Sequence, residues 1–85
     1  MIEAVTSTVA MADVLQPKLP GSFINCGGGG LGWSGGAQLG IKLATDWQAE
    51  KAGLGKGTGK FVCSIVGDGT FLFGVPCSVY WISRC

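Results

Sequence analysis

Apolar residues recur with the period of an α-helix in three stretches of the chain. From Glu3 to Leu15 they occupy one side, with threonine, serine and aspartate on the other, which predicts a helix ended by the prolines that follow. The longest periodic stretch predicts a second helix from about Trp33 or Ser34 to Lys51, whose internal glycines weaken it unless they allow close approach to the sheet or a ligand. A third helix is predicted to begin between Phe73 and Val75, with Pro76 in its first turn.

Two shorter runs predict β-strands. Ser22–Cys26 precedes a run of glycines, and Phe61–Val66 is apolar at five of its six positions, as expected for a strand buried on both faces. The resulting order of helix, strand, helix, strand, helix implies a parallel strand pair joined by a crossover helix. We therefore predict an α/β fold that forms part of a three-layer parallel-sheet domain.

The composition indicates that this domain is incomplete. Hydrophobic residues make up 47% of the 85 residues and charged residues only 13%, against roughly 25% in typical soluble domains. A free-standing domain of this size has much surface for its volume and should carry more charge. The last predicted helix also stays apolar almost to Cys85, so we expect residues 1–85 to be a partial domain truncated at its C-terminal end.

Charge and cysteine usage argue against several function classes. The net charge is +1 and the basic residues are scattered, which disfavours nucleic acid as a partner. The uncharged span of residues 19–41 holds nine glycines, so we expect no membrane segment, and the N-terminus lacks the pattern of a signal peptide. The absence of histidine and of a CxxC pair disfavours a structural zinc site. Cys26 and Cys63 are predicted as small apolar strand residues in a reducing compartment, cytoplasmic or organellar.

Glycine-rich segments supply three candidates for phosphate binding. The loop Gly53–Lys60 lacks the GK-[ST] ending of a P-loop and precedes its strand, so we interpret it as a solvated loop. Residues 27–32 match the G-x-G-x-x-G dinucleotide pattern between a strand and a helix. This pattern requires an acidic residue near the end of the next strand, about 20 residues further on; here that residue is Asp68, far beyond the spacing, and the nearer Asp46 and Glu50 lie on the predicted helix. Because the glycine pattern itself and its position between a strand and a helix fit, a NAD(P)-binding oxidoreductase fragment stays as an alternative.

The third candidate joins Gly27–Ser34 and Gly67–Thr70, each of which follows a predicted strand. Because the carboxyl ends of neighbouring parallel strands lie at one edge of a sheet, we expect the two segments side by side, where they could hold a diphosphate, its metal and a flat ring. Asp68 offers a carboxylate to a hard cation such as Mg²⁺, and its flanking glycines let backbone N–H groups approach a phosphate. Taken alone, Gly-Asp-Gly is also typical of an ordinary turn.

Two motifs carry a family resemblance: residues 28–34 (GGGLGWS) and, after a helix and a strand, residues 65–71 (IVGDGTF). Together they resemble the thiamine-diphosphate-binding domain of the acetolactate synthase, benzoylformate decarboxylase and pyruvate decarboxylase group, over about Ser22 to Arg84. The resemblance implies that Asp68 binds Mg²⁺. It also implies that thiamine diphosphate is bound by Gly29, Gly30, Leu31, Gly67, Gly69 and Thr70. In this interpretation the Gly29 carbonyl accepts a hydrogen bond from the aminopyrimidine, and Leu31 supports the bent cofactor.

The resemblance also implies a function and its limits. Enzymes of this group are lyases or transferases that use the cofactor's thiazolium ring as an electron sink to decarboxylate or carboligate 2-keto acids, as homodimers or homotetramers. Their second side-chain metal ligand is an asparagine that would fall beyond Cys85, and their activating glutamate belongs to a separate domain. We therefore expect no catalytic residue in this chain and no turnover by it alone. The non-enzymatic alternative is a glycine-rich interaction remnant that binds no ligand.

Overall fold

The computed structural model describes residues 1–85 and confirms the α/β fold class. Two short strands pair in parallel, together with four helices. In chain order the elements are β1 (Ile2–Glu3), α1 (Thr8–Leu15), α2 (Ser34–Lys51), β2 (Ile65–Val66), α3 (Asp68–Phe73) and α4 (Pro76–Ser83). The sequence predicts a parallel sheet and three of the helices, but the predicted pairing of Ser22–Cys26 with Phe61–Val66 is wrong because β1 lies between them, and α3 is not predicted.

The first strand lies where the sequence predicts the start of a helix. β1 pairs with β2 so that Ile2 lies opposite Ile65 and Glu3 opposite Val66. Ile2 also forms an isolated parallel bridge to Asn25, and it is only 1% exposed. The predicted helix is therefore wrong in its first residues, because placing Ile2 between two chain segments removes its apolar side chain from water.

Strand pairing is shorter than the two apolar runs predict. Of Ser22–Cys26 only Asn25 forms a bridge, and of Phe61–Val66 only the last two residues form β2. Since β1 has only two residues, strand pairing cannot extend further; beyond it, the Ile24 carbonyl accepts the Ile2 N–H at 3.4 Å and the Cys63 carbonyl accepts the N-terminal ammonium at 2.8 Å. Phe61 is 91% exposed and Cys63 is also exposed, so the prediction that they lie in a buried strand is wrong.

The predicted long helix is confirmed as α2, and its polar side carries an ion pair. Lys42 Nζ lies 2.6 Å from Asp46 Oδ1, one helical turn away. The same oxygen accepts the Gly59 N–H at 2.8 Å. Asp46 therefore holds the loop Gly53–Lys60, which follows α2, against the helix. The hydrogen bond from Lys42 is the main cause that lowers the pKa of Asp46.

The glycines inside α2 allow close packing at one position only. A methyl group built at Gly35 would lie 3.0 Å from a Val79 methyl carbon, so this glycine lets α2 approach α4. Nothing lies within 4 Å of the corresponding position at Gly36 or Gly40. The expected close approach therefore occurs at Gly35, against a helix instead of the sheet; Gly36 and Gly40 do not approach the sheet, and their approach to a ligand stays a prediction.

Few side chains are buried, and most of those are polar. The five buried residues of the 85 are Ile2, Glu3, Ser34, Ala49 and Thr70. Large apolar side chains such as Trp81 stay mostly exposed, in that case 69%. All of the buried positions except Ala49, near the end of α2, therefore mark the junction of β1, the start of α2 and α3 instead of a broad apolar core. None of the helices is both long enough and apolar enough to cross a membrane.

Candidate functional site

The segment Gly67-Asp68-Gly69 begins a helix instead of forming an isolated turn. Gly67 is the extended residue that precedes α3, with φ −64° and ψ 152°, and Asp68 is the first helical residue. The Asp68 side chain is exposed, and its Oδ1 accepts the neighbouring Gly69 N–H at 2.8 Å. Because α3 follows β2 directly, this carboxylate lies at the carboxyl end of a parallel strand, where α/β sheets bind their ligands.

A cavity of about 460 Å³ opens beside this segment, between the start of α2, β2, α3 and α4. Its polar lining residues are Ser34, Gln38, Ser64, Asp68, Thr70 and Tyr80. The Ser64 hydroxyl is buried without a hydrogen-bond partner, and Thr70 is only 5% exposed. Buried hydroxyls almost always have a hydrogen-bond partner. The Ser64 hydroxyl is therefore available to form a hydrogen bond with a polar atom of a ligand in this cavity.

The carboxylates of the chain do not form a metal cage by themselves. No group of three or more His, Cys, Asp or Glu side chains is placed to hold a metal ion. Asp68 therefore offers a single carboxylate at this edge of the sheet. That arrangement fits Mg²⁺, which proteins usually bind through one or two carboxylates together with the phosphate oxygens of a ligand.

The glycine-rich segment Gly27–Ser34 leads directly into α2. Gly29 and Gly32 have φ values of 71° and 92°, in a region that other residues rarely adopt. A Cβ built at Gly29 or Gly30 would meet nothing within 4 Å, so a ligand can approach their backbone atoms. Leu31 is 42% exposed and lines a groove formed by this segment, and it does not plug the segment into the core.

The structure brings the two predicted segments together only in part: Ser34, the last residue of the first, lines the same cavity as Asp68 and Thr70 of the second. Residues 27, 28 and 30–33 of the glycine-rich segment line a separate groove. The sequence predicts that the two segments follow neighbouring strands. That prediction is wrong, because β1 lies between Asn25 and β2. Gly32 of the glycine-rich segment packs on the end of α3, where a built Cβ would lie 3.1 Å from the Gly74 Cα, four residues beyond Thr70. A single site shared by both segments stays a prediction.

Glu3 connects the two segments and is not among the residues that the sequence predicts. It is 4% exposed, and its carboxylate accepts the Trp33 N–H at 3.0 Å and the Ser34 N–H at 2.8 Å, at the start of α2. Its backbone carbonyl accepts the Gly67 N–H at 3.0 Å, just before α3. One buried residue therefore binds the end of the glycine-rich segment and the beginning of the Gly-Asp-Gly segment.

The surroundings of Glu3 stabilise its charged form. Burial raises the pKa of the carboxyl, but hydrogen bonds from the Ser34 side chain and from the backbone of Ser34, Trp33 and Gly32 outweigh burial and lower the pKa below its usual 4.5. The positive end of the α2 dipole acts in the same direction. Both carboxylate oxygens accept hydrogen bonds, so Glu3 is a fixed anion and not a free proton acceptor for a ligand. The only feature of the sequence that marks Glu3 is that this carboxylate directly follows an isoleucine.

The acidic residues of the dinucleotide interpretation lie far from the glycine-rich segment. Asp46 and Glu50 belong to the second half of α2, and Asp46 is about 18 Å along the helix axis from Ser34. Asp46 is also bound to Lys42 and to the backbone of the following loop. Neither residue can therefore bind a ribose next to the glycines. The loop Gly53–Lys60 lies between α2 and β2, as its interpretation as a surface loop requires.

Comparison with known proteins identifies the family. Residues 3–77 match the family described as "Thiamine pyrophosphate enzyme, C-terminal TPP binding domain". Neither the curated proteins nor the solved structures gave a match. The matched region includes Glu3, the glycine-rich segment and the Gly67–Thr70 segment, and it covers most of the chain. The chain therefore belongs to this family.

Proposed function

We propose that this member of the thiamine pyrophosphate enzyme family binds the diphosphate of thiamine diphosphate through Gly67–Thr70 and a Mg²⁺ ion on Asp68, and the rings along Gly29–Leu31. The observation that carries the proposal is the position of Asp68. It presents an exposed carboxylate at the first residue of α3, at the carboxyl end of β2 and beside a polar cavity. The family match supports the cofactor.

The start of α3 supplies the diphosphate end of the proposed site. The first turn of a helix leaves backbone N–H groups without partners inside the helix, and its positive end favours anions. A Cβ built at Gly69 would meet nothing within 4 Å, so a phosphate oxygen can reach the backbone there and replace Asp68 Oδ1, which accepts the Gly69 N–H at 2.8 Å. Mg²⁺ on Asp68 would neutralise part of the diphosphate charge and fix its orientation.

The glycine-rich segment supplies the ring end. Leu31 presents a half-exposed apolar side chain, and the open backbone at Gly29 and Gly30 leaves carbonyl and N–H groups accessible. A flat heterocycle needs this combination of an apolar support and a few polar contacts. When bound, the thiazolium ring supplies an electron sink for decarboxylation or carboligation of a 2-keto acid.

We propose that the complete enzyme is a lyase or transferase acting on 2-keto acids as a homo-oligomer, and that this chain alone binds the cofactor weakly without turnover. Two features support the second part. The site has one carboxylate for the metal, and both carboxylate oxygens of the buried Glu3 are already occupied by backbone N–H groups. We therefore expect the chain to bind and orient the cofactor without turning over a substrate.

Titration calorimetry with thiamine diphosphate, with and without Mg²⁺, tests the proposal. We expect micromolar or weaker binding that requires Mg²⁺. Asp68→Asn should weaken Mg²⁺-dependent binding about tenfold or more, whereas Asp13→Asn, at an exposed position on α1, should leave it unchanged. Equal affinity with and without Mg²⁺ would remove the metal assignment, and submicromolar binding would overturn the proposed weakness.

The two alternatives have their own outcomes. NADH fluorescence that responds to the chain, in the absence of thiamine diphosphate binding, would favour the NAD(P)-binding oxidoreductase fragment. No thermal shift with either cofactor would favour a glycine-rich remnant that binds no ligand. Of these outcomes, family membership and the distance of Asp46 from the glycines both disfavour the first.

A further inference from the structure

We infer that Glu3 is a positioning residue that sets the separation between the glycine-rich segment and the Gly67–Thr70 segment, so that one cofactor molecule can contact both. The inference rests on the proposed function, since it assigns Glu3 a role toward the same cofactor. Glu3 itself does not touch the cofactor in this arrangement. It acts through the backbone groups that it binds at the adjoining ends of the two segments.

The carboxylate fixes the glycine-rich segment at its C-terminal end. Its two oxygens accept consecutive N–H groups, Trp33 on Oε1 and Ser34 on Oε2, in the residues where the segment becomes α2. Two bonds from one rigid carboxylate define both the position and the orientation of this backbone. The glycines before it have no comparable support, because a Cβ built at any of residues 27–30 would meet nothing within 4 Å.

The other segment is held at both ends of α3. Before the helix, Gly67 donates its N–H to the Glu3 carbonyl at 3.0 Å. After the helix, Gly74 packs on the glycine-rich segment, with its built Cβ 3.5 Å from the Gly32 Cα. The side chain and the backbone of Glu3 belong to one residue, so the start of α2 and the start of α3 cannot separate beyond the reach of that side chain unless a hydrogen bond breaks.

A glutamine cannot keep both side-chain contacts. Glu3→Gln retains the length of the side chain, but its NH₂ group would face an N–H donor at either Trp33 or Ser34. One of those donors then lacks an acceptor, and the orientation of the glycine-rich segment is no longer fixed. Glu50→Gln makes the same chemical change at an exposed position of α2 without a side-chain hydrogen bond, and it serves as the control.

Ligands of different length separate positioning from general stabilisation. In the proposed site, inorganic diphosphate with Mg²⁺ contacts only Gly67–Thr70, whereas thiamine diphosphate with Mg²⁺ spans both segments. Loss of a positioning residue should therefore weaken the long ligand selectively. Loss of a residue that only stabilises the fold would weaken both ligands by the same factor, or neither, when the variants are compared well below their melting temperatures.

The experiment is a titration of the ¹⁵N-labelled chain with each ligand, followed through the amide signals of Gly29, Gly30 and Gly69. For Glu3→Gln we expect about tenfold weaker binding of thiamine diphosphate and a change of less than about twofold for inorganic diphosphate. Glu50→Gln should match the unchanged chain with both ligands. A uniform loss, or no loss, overturns the positioning role and leaves the proposed function intact. Failure of the unchanged chain to bind thiamine diphosphate overturns both.

A second pair of variants keeps the test decisive if Glu3→Gln does not fold. Trp33→Pro removes the N–H that Glu3 binds, and the observed φ of −72° at this position is one that proline adopts. Trp33→Ala removes the indole but keeps the N–H. The ratio of their affinities isolates the hydrogen bond, and we expect the proline variant to lose affinity for thiamine diphosphate about tenfold beyond the alanine variant. Equal affinities would contradict the inference.

Discussion

Replacing Gly32 by alanine should destabilise the chain severely, because two independent costs coincide at this residue. Its φ of 92° is outside the range that alanine adopts comfortably, which costs about 1–2 kcal/mol. A Cβ there would also lie 3.1 Å from the Gly74 Cα and 3.2 Å from the Phe73 carbonyl oxygen. Relieving contacts with rigid backbone typically costs about 1–3 kcal/mol more. Together these make a loss of about 2–5 kcal/mol.

That loss is large for this chain. At about 0.05–0.15 kcal/mol per residue, 85 residues correspond to a total free energy of unfolding of about 4–13 kcal/mol. Gly32→Ala is therefore expected to remove a large part of the stability, or all of it if the chain lies at the low end of this range. In the fraction of the variant that still folds, α3 should lie farther from the start of α2.

Two neighbouring glycines provide matched controls. Gly29 has a φ of 71° but open space at its Cβ position, so Gly29→Ala carries only the backbone cost of about 1–2 kcal/mol. Gly28 has neither a positive φ nor a close neighbour, so Gly28→Ala should change stability by less than about 0.5 kcal/mol. Urea denaturation followed by circular dichroism measures all three. If Gly32→Ala costs no more than Gly29→Ala, the contact between Gly32 and α3 does not contribute and the reasoning fails.

Three further predictions concern other parts of the chain. Gly40→Ala should stabilise α2 by about 0.5–1 kcal/mol in urea denaturation, whereas Gly35→Ala should gain less or lose stability because the new methyl would press on Val79 at 3.0 Å. Gly59→Ala should cost about 1–3 kcal/mol, since its Cβ would lie 2.6 Å from a backbone carbon of α2; an unchanged melting temperature would refute that packing. The depressed pKa of Glu3 contributes stability that is complete above about pH 4.5 and is lost as the pH falls through the lower folded pKa. Glu3→Gln should flatten this acid part of the stability profile, and an unaltered slope would contradict it.

Local sequence patterns predicted the parts of the structure that depend on local contacts. The bounds of α2, its Lys42–Asp46 pair and the position of Pro76 at the start of α4 all follow from helical spacing and from the geometry of proline. The α/β class followed from the order of elements alone. These features need no knowledge of which distant segments meet.

The features that the sequence did not predict depend on distant contacts or are too short to show a period. β1 has two residues, so alternation cannot reveal it, and it exists because Ile2 pairs with Ile65 and bridges to Asn25. α3 spans six residues and contains a glycine, which gave the motif the appearance of a turn. The strand predicted over Phe61–Val66 is too long. This run has the composition of a buried strand, but β1 offers it only two pairing residues.

Glu3 shows why the least predictable region is also the candidate site. Burying a carboxylate is costly unless hydrogen bonds replace its water, and the start of α2 supplies N–H groups that otherwise lack partners inside the helix. The Glu3 carboxylate therefore supplies acceptors for the two N–H groups, and the N–H groups replace water around the carboxylate. These hydrogen bonds stabilise a buried charged residue where the helical pattern predicts a surface helix. An apolar residue at position 3 would leave two N–H groups unpaired at the junction of β1, α2 and α3. Since Ser34 and Thr70 are buried at the same junction, polar burial there serves the arrangement of the two candidate segments more than it serves the packing of a core.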